Sequence, residues 1–327
     1  MIQWQGMMGI AIESNYGTAV TTPTRYIDVN EASFNPEVDI RVKESATSTR
    51  VQTDMVKTGI DYSFNWEQWG TPNTLAELLY CALGSEGYSY NLLATGEHQH
   101  TFYESTASSL PSFTIFFDHG ISNQYRGYGC KIGSLTIESA AREVMLVSVE
   151  GICQGETTGS FSPTVPDDII SIDPFIFKNL VFSNSYCGAG LSQNTAIERY
   201  SITINNNLIG DKNTANGSYE ISALPEGVLE VTGEFDIEFS GADEYNGYKN
   251  LQETNIKAVW TGEPMGTNDF SLELHMPNCR IETLERPPIA GSSDRGVITV
   301  SFRGLYDASS DYLIKAVLQN EIDNLSA

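Results

Sequence analysis

The sequence is poor in basic residues: 18 Lys and Arg stand against 42 Asp and Glu, a formal charge of −24. That balance excludes a protein that grips phosphate by releasing counterions. Long apolar runs are missing as well. No stretch approaches the roughly 18 residues that a membrane-spanning helix needs, so no membrane partner is expected. The opening residues Met1 to Gln5 show no charged leader ahead of an apolar stretch, and the chain is expected to be made and kept in the cytoplasm. Cysteine is sparse, with Cys81, Cys130, Cys153, Cys187 and Cys279 scattered and no CxxC pair among them. An odd, dispersed set reads as reduced thiols rather than as a disulfide framework or a zinc site. The sequence also lacks a GxxxxGK[ST] phosphate loop, a GxGxxG fingerprint, an HExxH motif and a GxSxG elbow. No cofactor is therefore expected, no catalytic residue is assigned, and the chain reads as non-enzymatic. Histidine adds nothing to this. His98 and His100 read as a surface loop pair rather than a metal chelate, and His119 beside Asp118 has no evident nucleophile partner. No metal site is expected.

What the chain has is alternation. Ile60, Tyr62, Phe64 and Trp66 share one face of a strand while Asp61, Ser63, Asn65 and Glu67 share the other. Val231, Gly233, Phe235 and Ile237 face one way, and Glu230, Glu234, Asp236 and Glu238 face the other with Thr232. Tyr200, Ile202 and Ile204 alternate with Ser201, Thr203 and Asn205 in the same manner. Period two means a sheet with one buried and one wet face, the habit of antiparallel sandwiches and barrels. Carboxylates two residues apart on such a strand lie about 7 Å from one another. That is within a Debye length of about 8 Å, so they repel. An acidic face that persists against this repulsion is expected to have a use.

The chain is also written twice. Gly129–Glu138 leads to Leu146–Ile152, and Asn278–Glu285 leads to Ile298–Leu305, each block opening with a Cys, a basic residue and Ile. Ser112–Phe117 precedes the first block and Asp269–Leu274 the second. Earlier in each half a strand precedes a helix: Ile60–Trp66 before Thr74–Leu83, and Leu229–Phe239 before Tyr248–Trp260. Thr74 with Glu77 three residues on reads as a capping box. Four elements in the same order argue for duplication, with 1–160 and 161–327 as the two domains. Gly155–Asp168 reads as the linker between them. Asp311–Leu325 carries Leu313, Val317, Leu318, Ile322 and Leu325 and reads as a C-terminal amphipathic helix. The segment Asp39–Lys57 is slightly basic within an acidic chain. Arg41, Lys43, Arg50 and Lys57 stand against Asp39, Glu44 and Asp54, with a small-residue tip from Glu44 to Thr49, so it reads as a long hairpin.

The N-terminal stretch Gly9–Val29, with Glu13, Tyr16-Gly17-Thr18 and Pro23, resembles the opening of tail tube proteins of long-tailed phages. Asp118-His119-Gly120, Tyr128–Ile132 and Ser201–Asn207 extend the resemblance over most of the chain, whereas Arg286–Gly291, a proline-rich turn, departs from it. The resemblance implies a mainly β chain of two tandem tube-type β-sandwich domains, each with a flanking short helix. It implies six-domain rings, hence trimers of a duplicated chain, stacked into a tube in the virion tail after assembly in the bacterial cytoplasm. Partners would be further copies, tape-measure, terminator and baseplate proteins, and DNA in transit. Some 24 strands tilted by about 40° would close a barrel roughly 48 Å across. Asp61, Glu67, Glu230, Glu234, Asp236 and Glu238 would line its lumen, where a like-charged wall keeps DNA from sticking. Arg41, Lys43, Glu44, Arg50, Asp54 and Lys57 would form an arm onto the neighbouring ring. Two other classes stay open: a carbohydrate-binding β-sandwich, given 16 Tyr and four Trp, and another tail component such as a terminator or decoration protein. A glycosidase is more remote, since so many acids make no pair informative.

Overall fold

The computed structural model describes residues 6–325 except 44–51, 53, 106–108, 121–123, 162–170, 187–189, 216, 239–242 and 285–295. The chain is mainly β and antiparallel, with 57% of residues in strands and 8% in helix. Its first run of elements is β1 (Met7–Ile12), β2 (Arg25–Ile27), β3 (Val29–Val42), β4 (Met55–Trp69), α1 (Pro72–Leu83), β5 (Ser89–Ala94), β6 (Glu97–Tyr103), β7 (Phe113–Asp118), β8 (Gln124–Ala140), β9 (Leu146–Cys153) and β10 (Gly155–Thr158). The second run is β11 (Leu180–Tyr186), β12 (Ser192–Gln193), β13 (Ile197–Asn205), β14 (Glu230–Glu238), α2 (Asp243–Lys249), β15 (Thr254–Pro264), β16 (Asp269–Leu284), β17 (Val297–Gly304) and β18 (Lys315–Asn320).

Strand pairing shows the same circuit twice. In the first, β2 pairs β1, β1 pairs β7, β7 pairs β8, β8 pairs β10 and β9, β9 pairs β4, and β4 pairs β3. In the second, β12, β11, β15, β16, β18, β17, β14 and β13 repeat every one of those steps. Even the bulges recur. Register slips between Phe113 and Ile115 and between Thr254 and Ile256, opposite Cys130 and Cys279 respectively. It slips again between Ile132 and Ser134 and between Ile281 and Thr283. Bulges re-aim a strand, and here they fall where β8 and β16 change partners.

Among the described residues two strand pairings join the circuits: β13 adds to the edge of β8, and β18 adds to β6. The hairpin β5–β6 has no counterpart among the described residues of the second circuit. One hydrophobic cluster runs through both circuits, from Phe64 and Trp66 to Tyr200, Phe235, Trp260 and Phe302. Aromatic rings supply much of its volume. Phe113 of β7 meets Phe64 and Trp66 of β4, while Trp260 of β15 meets Tyr200 of β13.

One pair of positions exchanges its residues between the two circuits while keeping a close packing. Phe64 on β4 lies opposite Gly151 on β9, and at the equivalent place Gly233 on β14 lies opposite Phe302 on β17. Large and small have changed strands. A Cβ on Gly151 would come within 2.1 Å of the Lys131 carbonyl oxygen and 2.4 Å of the Phe64 ring. Gly151→Ala should therefore cost about 1–3 kcal/mol by overpacking. Pairing it with Phe64→Leu should recover part of the loss in urea unfolding. Equal stability of Gly151→Ala and the parent would contradict this packing.

Several sequence expectations are corrected. Residues 248–260 do not form a helix: α2 ends at Lys249 and Thr254–Pro264 is a strand, its alternating Ile256, Ala258 and Trp260 buried. The matched strands shift accordingly, since β7 corresponds to β15 and Asp269–Leu274 belongs to the start of β16. The C-terminal helix is absent. Lys315–Asn320 forms β18, because Ala316, Leu318 and Asn320 share a buried face at period two and both edges find partners. Helix α1 opens at Pro72 after Thr71, not at Thr74, and Glu77 is turned to Arg25 at 2.7 Å instead of capping. The first residues of the expected linker form β10. Cys130 and Cys153, on adjacent strands, form a disulfide rather than two thiols, whereas the equivalent Cys279 faces Gly304 and stays single. An odd total hid the pair.

His98 and His100 are buried on β6, not on a surface loop. His100 Nε2 lies 3.0 Å from Asn320 Oδ1 and from the Ile322 carbonyl oxygen, and Nδ1 lies 3.0 Å from the Tyr88 hydroxyl. Burial lowers its pKa, and burial lowers that of His275 too. A histidine in the unfolded chain titrates near about 6.5. Below that pH the unfolded chain binds protons that the folded chain refuses, so stability is full above it and falls as pH drops. The carboxylates held low in the fold, Glu97 and Asp323 among them, lose their contribution only at lower pH, near about 4. The melting temperature should therefore decline between about pH 6.5 and 5, and His100→Gln should flatten that decline. A pH-independent melting temperature across this window would contradict it.

Candidate functional site

Strands β3, β4, β9, β8, β13, β14, β17 and the end of β16 pair side by side across both circuits. Their alternation turns the aromatic and aliphatic side chains to the core and the polar ones to a single opposite face. Register makes this continuous. Glu31, Glu67, Ser148, Thr136, Thr203, Thr232 and Arg303 form one row. Ser33, Asn65, Glu150, Ser134, Asn205 and Glu230 form the next. Glu138, Ser201, Glu234 and Ser301 form another, and Arg199, Asp236 and Thr299 a fourth.

The six acids singled out from the sequence, Asp61, Glu67, Glu230, Glu234, Asp236 and Glu238, thus share one face of one sheet. Reasoning from separate strands missed Glu31, Glu37, Glu138 and Glu150 on the same surface, and missed its cations. Arg199 Nε lies 2.8 Å from Glu138 Oε1, and its Nη1 3.4 Å from Glu234 Oε2. Arg303 Nη1 lies 3.4 Å from Glu230 and its Nε bonds Glu282. Two guanidiniums relieve repulsion among the second-circuit acids; the face stays acidic around them. On the first circuit the crowding is felt directly. Burial and then the neighbouring Asp39 and Glu37 raise the pKa of Asp61. The alternation in Leu135–Glu138 is the sequence signal that could have added Glu138; only register could have revealed Arg199 between two acids.

The expected arm is the far end of the β3–β4 hairpin. Lys43 N donates to the Asp54 carbonyl oxygen at 2.9 Å, and Glu44 and Arg50 lie outside the described residues. Arg41, Lys43 and Asp54 share a charged side with Glu37, Asp39 and Asp61. Lys57 lies on the other side, with its Nζ 5.0 Å from the centroid of the Tyr219 ring. That side also carries Val38, Ile40, Val42 and Met55, all exposed, and Val56 is exposed on the charged side. The sequence reading saw the basic residues and missed this apolar stripe, which continues the core face past the end of the core.

Two depressions accompany these features. One, of about 480 Å³, opens on the polar face among Ser63, Asn65, Ser134, Glu150 and Asn205. The other, of about 600 Å³, lies between β1, α1 and the C-terminal residues. Their aromatic lining is Phe64 and Tyr80 respectively, both buried, which offers no ring for a sugar to stack on. Among the described residues no group of three or more His, Cys, Asp or Glu is placed to hold a metal ion, and no helix is long and apolar enough to cross a membrane.

A family model described as phage tail tube protein matches residues 4–304. No curated protein matches the chain.

Proposed function

This chain belongs to the phage tail tube protein family, and from that premise we propose that it is a non-enzymatic structural protein of the virion tail whose copies close into trimeric rings and stack into a conduit for DNA. The observation that carries the reading is the junction between the circuits. Within one chain, β13 pairs with β8 from Arg199 opposite Ala140 to Asn205 opposite Ser134. Strand β13 holds the same place in its circuit as β3, and β8 the same place as β16. Among the described residues β3 pairs only with β4, and Thr283 and Leu284, which end β16, pair only with β17, while Arg286–Gly291 lie outside the described residues. One chain therefore carries, at its two ends, the two halves of a junction that it also contains complete. Unpaired strand edges invite another chain. A head-to-tail contact that rotates and closes makes a ring.

We place the division into two tube domains between β10 and β11, near residue 160. In the closed ring the polar face of the shared sheet would line the lumen, with Asp61, Glu67, Glu230, Glu234, Asp236 and Glu238 on its wall. Duplex DNA carries a charge every 1.7 Å or so along its axis, so an acidic wall repels it and lets it slide. The arm residues Arg41, Lys43, Glu44, Arg50, Asp54 and Lys57 would tie copies together. Terminator, tape-measure and baseplate proteins would meet the ends of the stack.

Light scattering across concentration, with negative-stain microscopy of the same samples, tests the assembly. Trimeric rings or hollow tubes are expected. A strict monomer at every concentration would overturn the reading.

A further inference from the structure

We infer that the arm of one copy seats on the second circuit of its neighbour within the same ring, in the notch around Leu251, Arg280 and Tyr306. The inference rests on the ring reading above and replaces the neighbouring ring as the arm's expected partner.

The chain contains its own precedent. The segment joining β13 to β14, residues 206–229, holds the place that residues 38–60, the arm, hold between β3 and β4. The two are nearly the same length. In the second circuit this segment does not project. It folds back onto the first circuit and is held there by many bonds. Asn206 Nδ2 donates to the carbonyl oxygens of Ala82 and Ile132 at 3.1 and 3.0 Å. Ile60 N donates to the Tyr219 carbonyl oxygen at 3.1 Å, and the Tyr128 hydroxyl to Glu220 at 3.0 Å. Glu226 accepts from Leu110 N at 2.9 Å and from Lys131 Nζ at 2.5 Å, while Ile221 and Leu224 are buried.

The seat on the first circuit has a counterpart on the second, where the corresponding apolar side chains are exposed. Phe113 and Thr254 lie opposite Cys130 and Cys279, so Leu110 corresponds to Leu251, and Lys131 corresponds to Arg280. Leu110, under the folded segment, is 8% exposed; Leu251 is 65% exposed. Past β9 and β17, Gly155 corresponds to Tyr306. A Cβ on Gly155 would meet Glu220 of the covering segment at 2.7 Å, whereas Tyr306 is 52% exposed. Leu305 beside it is exposed as well. Asn278 joins two of these places: Leu305 N donates to its carbonyl oxygen at 2.8 Å, and Arg280 Nη1 donates to its Oδ1 at 2.7 Å.

The chain thus has an apolar notch of exposed Leu251, Leu305 and Tyr306 beside Arg280, whose Nη2 is held at 3.1 Å by Glu253 Oε1, and an arm with an exposed apolar stripe. By the rule that joins the circuits, the segment of a following domain lies on the domain before it. The first circuit of one copy follows the second circuit of another. Its arm therefore belongs on that copy's Leu251, Leu305 and Tyr306, with the stripe of Val38, Ile40, Val42 and Met55 turned to them.

The test uses the full chain with p-benzoylphenylalanine at Met55, irradiated both as isolated rings and as stacked tubes, with adducts mapped by mass spectrometry. Expected are adducts joining different copies at residues 250–254, 278–282 or 304–306, in rings and tubes alike. Leu251→Asp, at a side chain exposed in the single copy, should raise the concentration needed for ring formation by about tenfold or more, as loss of a central apolar anchor does. Adducts confined to stacked tubes, adducts on the first circuit, or rings with no adduct between copies would overturn the inference while leaving the ring intact. A chain that forms no ring at all would overturn both.

Discussion

Tubes built from a chain carrying Lys at Glu67, Glu150 and Glu238 should assemble normally and stall DNA passage at low salt. These three acids lie on the polar face that spans both circuits, and none has a cationic partner among the described residues. Their replacement therefore breaks no ion pair. Surface changes of this kind usually shift stability by about 0.5 kcal/mol or less each. Glu234 and Glu230 are avoided because Arg199 and Arg303 depend on them. On the proposed lumen wall, the new ammonium groups would hold passing phosphates through counterion release, an attraction that weakens steeply with salt. Ejection should slow at low ionic strength and recover as salt rises. Unchanged low-salt ejection would remove the acidic face from the conduit. Failure to assemble would mean instead that the face makes contacts between copies.

Truncating Trp260 to Ala should cost about 3–5 kcal/mol, the range for a large aromatic lost from a packed core. Trp260 is fully buried on β15, contacts Tyr200, and donates through Nε1 to Ser139 Oγ at 3.4 Å on β8 of the other circuit. The loss would fall where the circuits join. Small domains hold only about 5–15 kcal/mol in total, so the variant should unfold at markedly lower urea. A midpoint within error of the parent would show that the junction does not depend on this ring.

The strands with one wet face were legible because Tyr62, Phe64 and Trp66, or Val231, Phe235 and Ile237, repeat at period two without interruption. The repeated circuit was legible through Cys130-Lys131-Ile132 and Cys279-Arg280-Ile281, which sit at the same bulge in each circuit. Residues 248–260 misled because Tyr248, Leu251, Val259 and Trp260 also suit helical spacing. Partners decided the matter, since β11 and β16 lie on either side of β15. The C-terminal segment failed for the same reason: β6, more than 200 residues earlier, supplies one of the edges that make it a strand. Period fixes a face but not which strands adjoin. Arg199 between Glu138 and Glu234 was therefore invisible, and so was the exposed stripe of Val38, Ile40, Val42 and Met55, where the alternation outlasts the core it normally serves.

The most direct test of the account is an electron cryomicroscopy reconstruction of the assembled protein viewed down its axis. It should show a six-lobed ring of three chains, with β16 of each copy beside β3 of the next and Glu67, Glu150 and Glu238 facing the channel. A ring with these carboxylates on its outer surface, or an assembly in which β3 keeps an open edge, would contradict it.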